Sequence, residues 1–252
     1  MMTPKLTLIG AGPGDPELIT LKAINALRKA DVVLYDALAN SVLLEYCSPE
    51  CELIYVGKRG YTRSISQDSL NFLIVEKAYE KGHVVRLKGG DPFIFGRGNE
   101  EINFARERGV ETAFVPGISS IQALGAADIP LTSRGFADGF WVITGHKADG
   151  SLSKDLALAA RSSATVVILM GMSRLSRIAE LFVEGGRGDT PAAIVQNAST
   201  NYQKMGTGKA KDLVKIAQFN ELENPALIVI GDVINSLRSD KLVQFKSAEI
   251  YT

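Results

Sequence analysis

Several short loops carry the residues best placed to do chemistry. The first, Gly10-Ala11-Gly12-Pro13-Gly14-Asp15, follows an apolar run. Glycines there let the backbone come close to a ligand. The spacing is G-x-G-x-G, which departs from the G-x-G-x-x-G of dinucleotide sites. Pro13 removes a backbone donor, and Asp15 puts an acid where a pyrophosphate would sit. A nucleotide-linked oxidoreductase is therefore disfavoured. The loop reads as the edge of a site for an uncharged or cationic ligand, with a plain tight turn as the alternative. The second run is Gly89-Gly90-Asp91-Pro92-Phe93-Ile94-Phe95-Gly96-Arg97-Gly98. Its paired glycines leave room for a ligand, and Asp91 can accept hydrogen bonds from a hydroxyl or an amine. Arg97 and Glu100 lie three apart at a helix start and share a face. An ordinary turn with a surface ion pair is the bland alternative.

Three weaker signals follow. In Val115-Pro116-Gly117-Ile118-Ser119-Ser120, hydroxyls at a helix start could cap that helix or bind a ligand. Arg134, in Pro130-Leu131-Thr132-Ser133-Arg134-Gly135, is presented at a crossing between two halves of the chain or is simply solvated. Leu169-Met170-Gly171-Met172 ends an apolar strand, where Gly171 suggests close backbone approach. His83 and His146 are not joined by any H-x-x-x-H or cysteine pair, so no metal cage is expected. No G-x-S-x-G elbow and no G-x-x-x-x-G-K-[ST] loop occurs. The remaining chemistry is one in which a substrate or cofactor is itself reactive.

The elements that must position these loops alternate. Strands are expected at 6–9, 32–35, 53–56, 83–87 and 112–115. A second series is expected at 140–144, 165–170, 192–195 and 226–230. Asp15-Pro16-Glu17 reads as a helix start, with Leu18, Leu21, Ile24 and Leu27 as its apolar stripe. Ser66 caps a helix predicted through Lys81. Further helices are predicted at 98–108, 118–126, 152–161, 175–184 and 209–219. The alternation predicts α/β structure rich in parallel strands. Residues 128–139, with Pro130, Gly135 and Gly139, read as a linker. The expected division is an N-terminal α/β domain at 1–130, a C-terminal α/β domain at 131–240 and a tail at 241–252.

Composition sets the outer bounds. The chain has 252 residues, 46% of them hydrophobic, which is enough for a sizeable core. Its 28 basic and 28 acidic residues cancel, which argues against a dedicated nucleic-acid binder. No membrane span or signal segment is read in it. Cys47 and Cys51 are expected to be free thiols of a reducing cytoplasm. The zero total hides local sign. Lys58, Arg59 and Arg63 have no acid between them, and Arg86, Lys88, Arg97 and Arg134 sit in motif loops. A single cationic pocket remains compatible with a neutral chain.

Taken in order, the motifs resemble the uroporphyrinogen-III C-methyltransferases of the tetrapyrrole methylase superfamily. They are G-A-G-P-G-D-P-x-L-x-T-x-K-A at 10–23, Y-D-x-L at 35–38, V-G-K-R at 56–59 and R-L-K-G-G-D-P-F-x-F-G-R-G at 86–98. They continue with V-P-G-I-S-S at 115–120, I-P-L-T-x-R-G at 129–135, T-G-H at 144–146, M-G at 170–171, Q-N-A at 196–198 and P-A-L-I-V-I-G at 225–231. The resemblance implies two α/β domains with an active-site cleft between them, the tetrapyrrole methylase fold. It implies S-adenosyl-L-methionine as cofactor, S-adenosyl-L-homocysteine as its product, and a homodimer. The implied reaction methylates uroporphyrinogen III at ring carbons 2 and 7, giving precorrin-2 on the way to siroheme or cobalamin. Implied cofactor positions are Pro13, Gly89, Gly90, Asp91, Ile94, Ser119, Ser120, Met170, Ala198 and Ala226. Acid–base roles attach to Asp36 and Lys58, and substrate and proton-handling roles to Arg97, Glu100 and Arg134.

The residue chemistry suits this. An electron-rich pyrrole carbon that gains a methyl group becomes cationic and must lose a proton. An arginine is a poor base, so Arg97 and Arg134 read as clamps for a substrate bearing eight carboxylates. The base stays open among Asp36, Glu100 and water. Arg63 and Ser133 stand where many relatives carry histidine, and Asp68-Ser69 where many carry two acids. Substrate contacts are the part those departures touch.

Overall fold

The computed structural model describes residues 3–57, 65–147 and 149–236. The chain divides into two compact units, one ending at Ser120 and the next beginning at Ile121. Sequence reasoning placed this division after residue 130. Ile121, Ala123, Leu124, Ala127 and Ile129 are buried with Val167, Val195 and Val229, so the structure groups this stretch with the second unit.

In the first unit, β1 (Lys5–Gly10), β2 (Val32–Tyr35), β3 (Glu52–Tyr55), β4 (His83–Lys88) and β5 (Glu111–Val115) form one sheet in the order β3-β2-β4-β1-β5. Every neighbouring pair is parallel. Both faces of the sheet are covered, so its strands read as continuous apolar runs. Ile9, Val33, Val85 and Leu87 pack with Ala23 and Leu27 of α1 (Leu21–Leu27). The alternate residues Leu6, Val32, Leu34 and Val84 pack with Leu70, Ile74 and Ala78 of α2 (Gln67–Lys81) and Ala105 of α3 (Gly98–Arg106). The Ser66 hydroxyl caps α2 by accepting from the Ser69 amide at 3.1 Å, and Gly82, at φ 106°, ends the helix.

The helix start expected at Asp15 is shorter than its sequence suggested. Asp15 does cap a turn, accepting from the Glu17 amide at 2.9 Å, but that turn is a 3-10 helix of three residues. Thr20 then caps α1 afresh. Two caps in six residues break the helical phase. Leu21 is 80% exposed, and the expected stripe through Leu18 and Leu21 does not form. The helix expected at 118–126 is likewise a 3-10 segment, Gln122–Ala127. Small residues there supply close packing but no capped α-helical start.

In the second unit, β6 (Phe140–Thr144), β7 (Thr165–Leu169), β8 (Pro191–Gln196), β9 (Lys204–Lys209) and β10 (Ala226–Ile230) lie in the order β6-β7-β10-β8-β9. Only β6 and β7 run parallel; the other three pairings are antiparallel. The parallel-rich expectation thus holds for the first sheet and gives way in the second. The cause is β9, which the sequence reading left out. It reads Lys-Met-Gly-Thr-Gly-Lys, poor in strand formers. Its two glycines have a packing reason: a Cβ at Gly206 would lie 2.8 Å from the Asn220 side-chain carbon, and one at Gly208 2.9 Å from Ile216. α4 (Asp155–Ala159), α5 (Leu175–Glu184) and α6 (Leu213–Phe219) cover one face through Leu156, Ile178, Phe182, Leu213 and Ile216. The stretch 121–129 and Val233 cover the other. No helix among the described residues is long and apolar enough to cross a membrane.

The two leucines of α1 test its phase. Leu21→Ala is expected to change stability by no more than about 0.5 kcal/mol. Leu27→Ala, at a fully buried site, is expected to cost about 2–5 kcal/mol. Urea unfolding of both variants measures the difference, and similar losses would contradict the phase.

Candidate functional site

The chain leaves β1 toward β2 on one side and leaves β4 toward β5 on the other, so adjacent strands send their connections in opposite directions. Ligands of open parallel sheets bind outside the carboxyl ends of strands at such a place. The loops after β1, β4 and β5 meet there backbone to backbone. Gly12 and Gly90 form an isolated bridge, with the Gly90 amide donating to the Gly12 carbonyl at 2.7 Å. A Cβ at Gly10 would lie 2.5 Å from Gly117 Cα and 2.6 Å from the Gly90 oxygen. Asp91 fastens the same junction. Its Oδ1 accepts from the Phe93 amide at 2.8 Å and its Oδ2 from the Gly117 amide at 3.1 Å. The expected ligand acceptor is therefore first a tie between two loops. Gly14 joins through its carbonyl, which accepts from Asn40 Nδ2 at 2.8 Å.

The structure brings Pro13, Gly89, Gly90, Asp91, Ser119 and Ser120 to this end of the first sheet. Gly90 sits at φ 67°, and a Cβ there would meet only the Ser120 amide, at 3.7 Å. Space beside the backbone is thus kept open. Ile94, half-buried, follows in the same loop as Asp91. Gly89 faces the loop after β2, where a Cβ would lie 2.5 Å from Leu38 Cβ.

Asp36 lies in that β2 loop. Its Oδ1 accepts from the Leu38 amide at 3.1 Å and its Oδ2 from Arg86 Nη2 at 3.0 Å. Arg86 is buried and also donates to the carbonyls of Leu34 and Leu87, at 3.3 and 2.8 Å. Behind it lies Glu101, whose side chain is fully buried. Glu101 Oε1 accepts from Lys88 Nζ at 2.7 Å and from Gln67 Nε2 at 3.2 Å. Its Oε2 faces Arg86 Nε at 3.6 Å, and neither of these two atoms has a hydrogen-bond partner among the described residues. Burial, and then the neighbouring Arg86 charge, push the Lys88 ammonium below its ordinary value, against the pull of Glu101. Arg86 and Lys88, expected to help line a cationic pocket, are consumed inside the fold by Asp36 and Glu101. Sequence reasoning missed Glu101. The only available sign was its place one residue after Glu100, which on a helix turns it toward the sheet.

Arg97 and Glu100 share a face as expected, and they hold each other. Arg97 Nε donates to Glu100 Oε1 at 2.9 Å, and Nη2 pairs with Oε2. Both side chains are half-exposed. The Arg97 guanidinium keeps the Glu100 carboxyl below the usual carboxylate range. Arg97 occupies the left-handed region at φ 59°, as does Phe95 at 56°. Non-glycine residues held there cluster at functional sites. Lys58, Arg59 and Arg63 lie outside the described residues.

The second unit gathers its own set. The register pairs Thr144 with Leu169, Leu169 with Leu227, and Gln196 with Ala226. Met170, Ala198 and Ala226 therefore share one end of the second sheet. Met170 is at φ 56° and half-exposed, and Asn197 and Ser199, on either side of Ala198, are at φ 50° and 70°. His146 Nδ1 donates to the Met170 carbonyl at 3.0 Å. Gly171 packs its missing Cβ against Ile228. Arg134 stands apart, exposed in a turn closed by the Ser133–Ala137 bridge. Met170, Ala198 and Ala226 carry no ionisable side chain. No group of three or more His, Cys, Asp or Glu among the described residues could hold a metal ion.

The sequence pattern of the Tetrapyrrole (Corrin/Porphyrin) Methylases matches residues 5–214. A uroporphyrinogen-III C-methyltransferase of Methanocaldococcus jannaschii is 43% identical over 94% of this chain and 100% of that protein. A siroheme synthase of Chromobacterium violaceum is 42% identical over 96% of this chain, which spans about half (52%) of that longer protein. The crystal structure of a Thermus thermophilus uroporphyrin-III C-methyltransferase complexed with S-adenosylhomocysteine superposes with TM-score 0.80 at 39% identity, covering 92% of this chain and 100% of that one. A cobalt precorrin-4 methyltransferase superposes with TM-score 0.81 at 27% identity, over 91% of this chain and 95% of that one.

The three-loop junction can be tested without a ligand assay of turnover. Gly117→Ala would place a Cβ 2.6 Å from Gly10 Cα. The expected cost is about 1–3 kcal/mol in urea unfolding, together with weakened S-adenosylhomocysteine binding by calorimetry. Unchanged binding would separate the junction from the site.

Proposed function

Because the chain belongs to the tetrapyrrole (corrin/porphyrin) methylases, we propose that it is a uroporphyrinogen-III C-methyltransferase. It methylates uroporphyrinogen III twice, at ring carbons 2 and 7, through precorrin-1 to precorrin-2, in siroheme and cobalamin biosynthesis. The observation that carries this reading is the 43% identity to the M. jannaschii enzyme along its whole length. S-adenosyl-L-methionine, when bound, supplies an electrophilic methyl group on a sulfonium.

The chain's residues fit that donor. In the first unit, the candidate positions Pro13, Gly89, Gly90, Ile94, Ser119 and Ser120 bring backbone, hydroxyls and apolar surface, with the Asp91 carboxylate as their one charge. The space kept open by Gly90 beside the Ser120 amide suits a flat, uncharged group. In the second unit, Met170, Ala198 and Ala226 are assigned as further cofactor contacts. A set without lysine or arginine is poorly suited to a phosphate and suits a sulfonium with adenosine.

The substrate carries carboxylates, and Arg97 and Arg134 are exposed guanidiniums able to clamp them. Arg97 reaches a substrate carboxylate by giving up Glu100. An exposed ion pair is worth only about 0–1 kcal/mol, so the exchange is inexpensive. It also removes the charge that holds Glu100 below the ordinary carboxylate range, which makes Glu100 a better proton acceptor. Asp36 is the other carboxylate assigned to proton handling, and Lys58 keeps an acid–base role on the family resemblance. A homodimer rests on the same resemblance. A cytoplasmic location suits the free thiols of Cys47 and Cys51.

Purified protein incubated with methyl-labelled S-adenosylmethionine and enzymically generated uroporphyrinogen III is expected to yield labelled precorrin-2. Absence of label in that product would sink the reading. In the same assay Arg97→Ala is expected to lower turnover roughly tenfold or more while cofactor affinity changes less than about threefold. Equal losses in both would remove the clamp assignment.

A further inference from the structure

The buried charges behind Asp36 have no part in the reaction as so far described. Arg86 and Lys88 lie on β4, the central strand of an all-parallel sheet, where apolar residues are the rule, and Glu101 faces them from α3. Replacing a buried ion pair with well-packed apolar residues is often neutral or stabilising. Stability alone therefore does not account for Arg86, Lys88 and Glu101 at this position.

The contacts show a direction. Glu101 is enclosed; Lys88 from β4 and Gln67 from the first residue of α2 donate to it, and the Arg86 Nε faces it at 3.6 Å without a hydrogen bond. Gln67 is itself held by the Asn71 side chain at 3.0 Å. Arg86 then spans from this enclosed carboxylate to the carbonyls of Leu34 and Leu87 and on to Asp36, which is 23% exposed at the open end of the sheet. Two acids and two bases balance across the set, so each charge has a counter-charge within it.

We infer that Glu101 and Lys88 are positioning residues that fix the Asp36 carboxylate through Arg86. The inference deepens the proposed function and rests on its reading of Asp36 as a group at the reacting end. The Glu101 charge attracts the guanidinium at Nε, 3.6 Å away, and the neighbouring Nη2 holds the Asp36 carboxylate. Lys88 neutralises Glu101 so that it does not draw Arg86 away from Asp36. With the Glu101 charge gone, Arg86 has one carboxylate partner instead of two, and its hold on Asp36 changes in angle and distance.

The test uses the full chain with S-adenosylmethionine and uroporphyrinogen III and compares Asp36→Asn, Glu101→Gln and the double variant Glu101→Gln/Lys88→Met. Turnover, KM for uroporphyrinogen III, equilibrium cofactor binding and melting temperature are measured on each. A misplacement of about 1 Å can cost roughly a hundredfold in rate. Asp36→Asn and Glu101→Gln are each expected to lose turnover on that scale while cofactor binding changes less than about twofold. The double variant restores charge balance, and it is expected to regain the melting temperature but not the turnover. If Glu101→Gln does not fold, the double variant decides alone. Recovery of turnover together with melting temperature would mean that only charge balance matters and would overturn the inference. Full turnover in Glu101→Gln beside an impaired Asp36→Asn would overturn it while leaving the role of Asp36 intact. Full turnover in Asp36→Asn would remove both.

Discussion

Backbone-to-backbone approach is the constraint on which the first unit's open end depends. Three loops can meet at Gly10, Gly90 and Gly117 only because none carries a side chain there. The penalty for this closeness is the desolvation of amides and carbonyls that sheet pairing no longer satisfies. The Gly12–Gly90 bridge and the two bonds to Asp91 satisfy several of them. One carboxylate therefore does what an extra strand would do elsewhere, and the space beside Gly90 stays open. The motif's Asp is needed for the shape of the site before it is needed for any ligand.

Two classes of ion pair share this end of the molecule, and burial separates their roles. The Arg86, Lys88, Asp36 and Glu101 set is enclosed, so its Coulomb terms are strong and its rearrangement is costly. Such a set is suited to holding a geometry. The Arg97–Glu100 pair is half in solvent and bidentate, so it has defined geometry and little net strength. Such a pair is suited to changing partners. Each set holds one of two glutamates adjacent in sequence, Glu101 in the buried set and Glu100 in the exposed pair. The direction in which α3 turns each glutamate decides which set it joins.

Much of this was legible from residue order. Nine of the strands follow apolar runs, and the motif glycines do lie after strand ends in the first unit. What was not legible has specific causes. Leu21 keeps the spacing of a buried stripe, but two successive caps at Asp15 and Thr20 reset the phase. β9 is hidden because its glycines serve packing against α6 instead of strand propensity. The antiparallel pairings of the second sheet follow from β9 and were lost with it. Glu101 was invisible because a buried glutamate reads like any charged helix residue until its partners are placed. The left-handed backbone at Arg97, Met170, Asn197 and Ser199 carries no composition signal at all. Of these, Arg97 and Met170 were marked by motif, and Ala198 was marked between the other two.

The neutral total charge of the chain acquires a sharper meaning once the pairs are assigned. Counting basic residues in motif loops gave Arg86, Lys88, Arg97 and Arg134 equal weight. Desolvation removes the first two, since each is almost fully buried against an acid. Arg97 presents its charge only after releasing Glu100, while Arg134 presents its charge freely in an exposed turn. Among the described residues of these motifs, exposed positive charge therefore comes from two guanidiniums and not four, Arg97 in the first unit and Arg134 in the second. The first of these is already held by an internal carboxylate, Glu100. On the proposed reading of Arg97 as a clamp, an anionic group competes with Glu100 for the guanidinium and a neutral one does not, so the exposed ion pair would select a ligand by its charge.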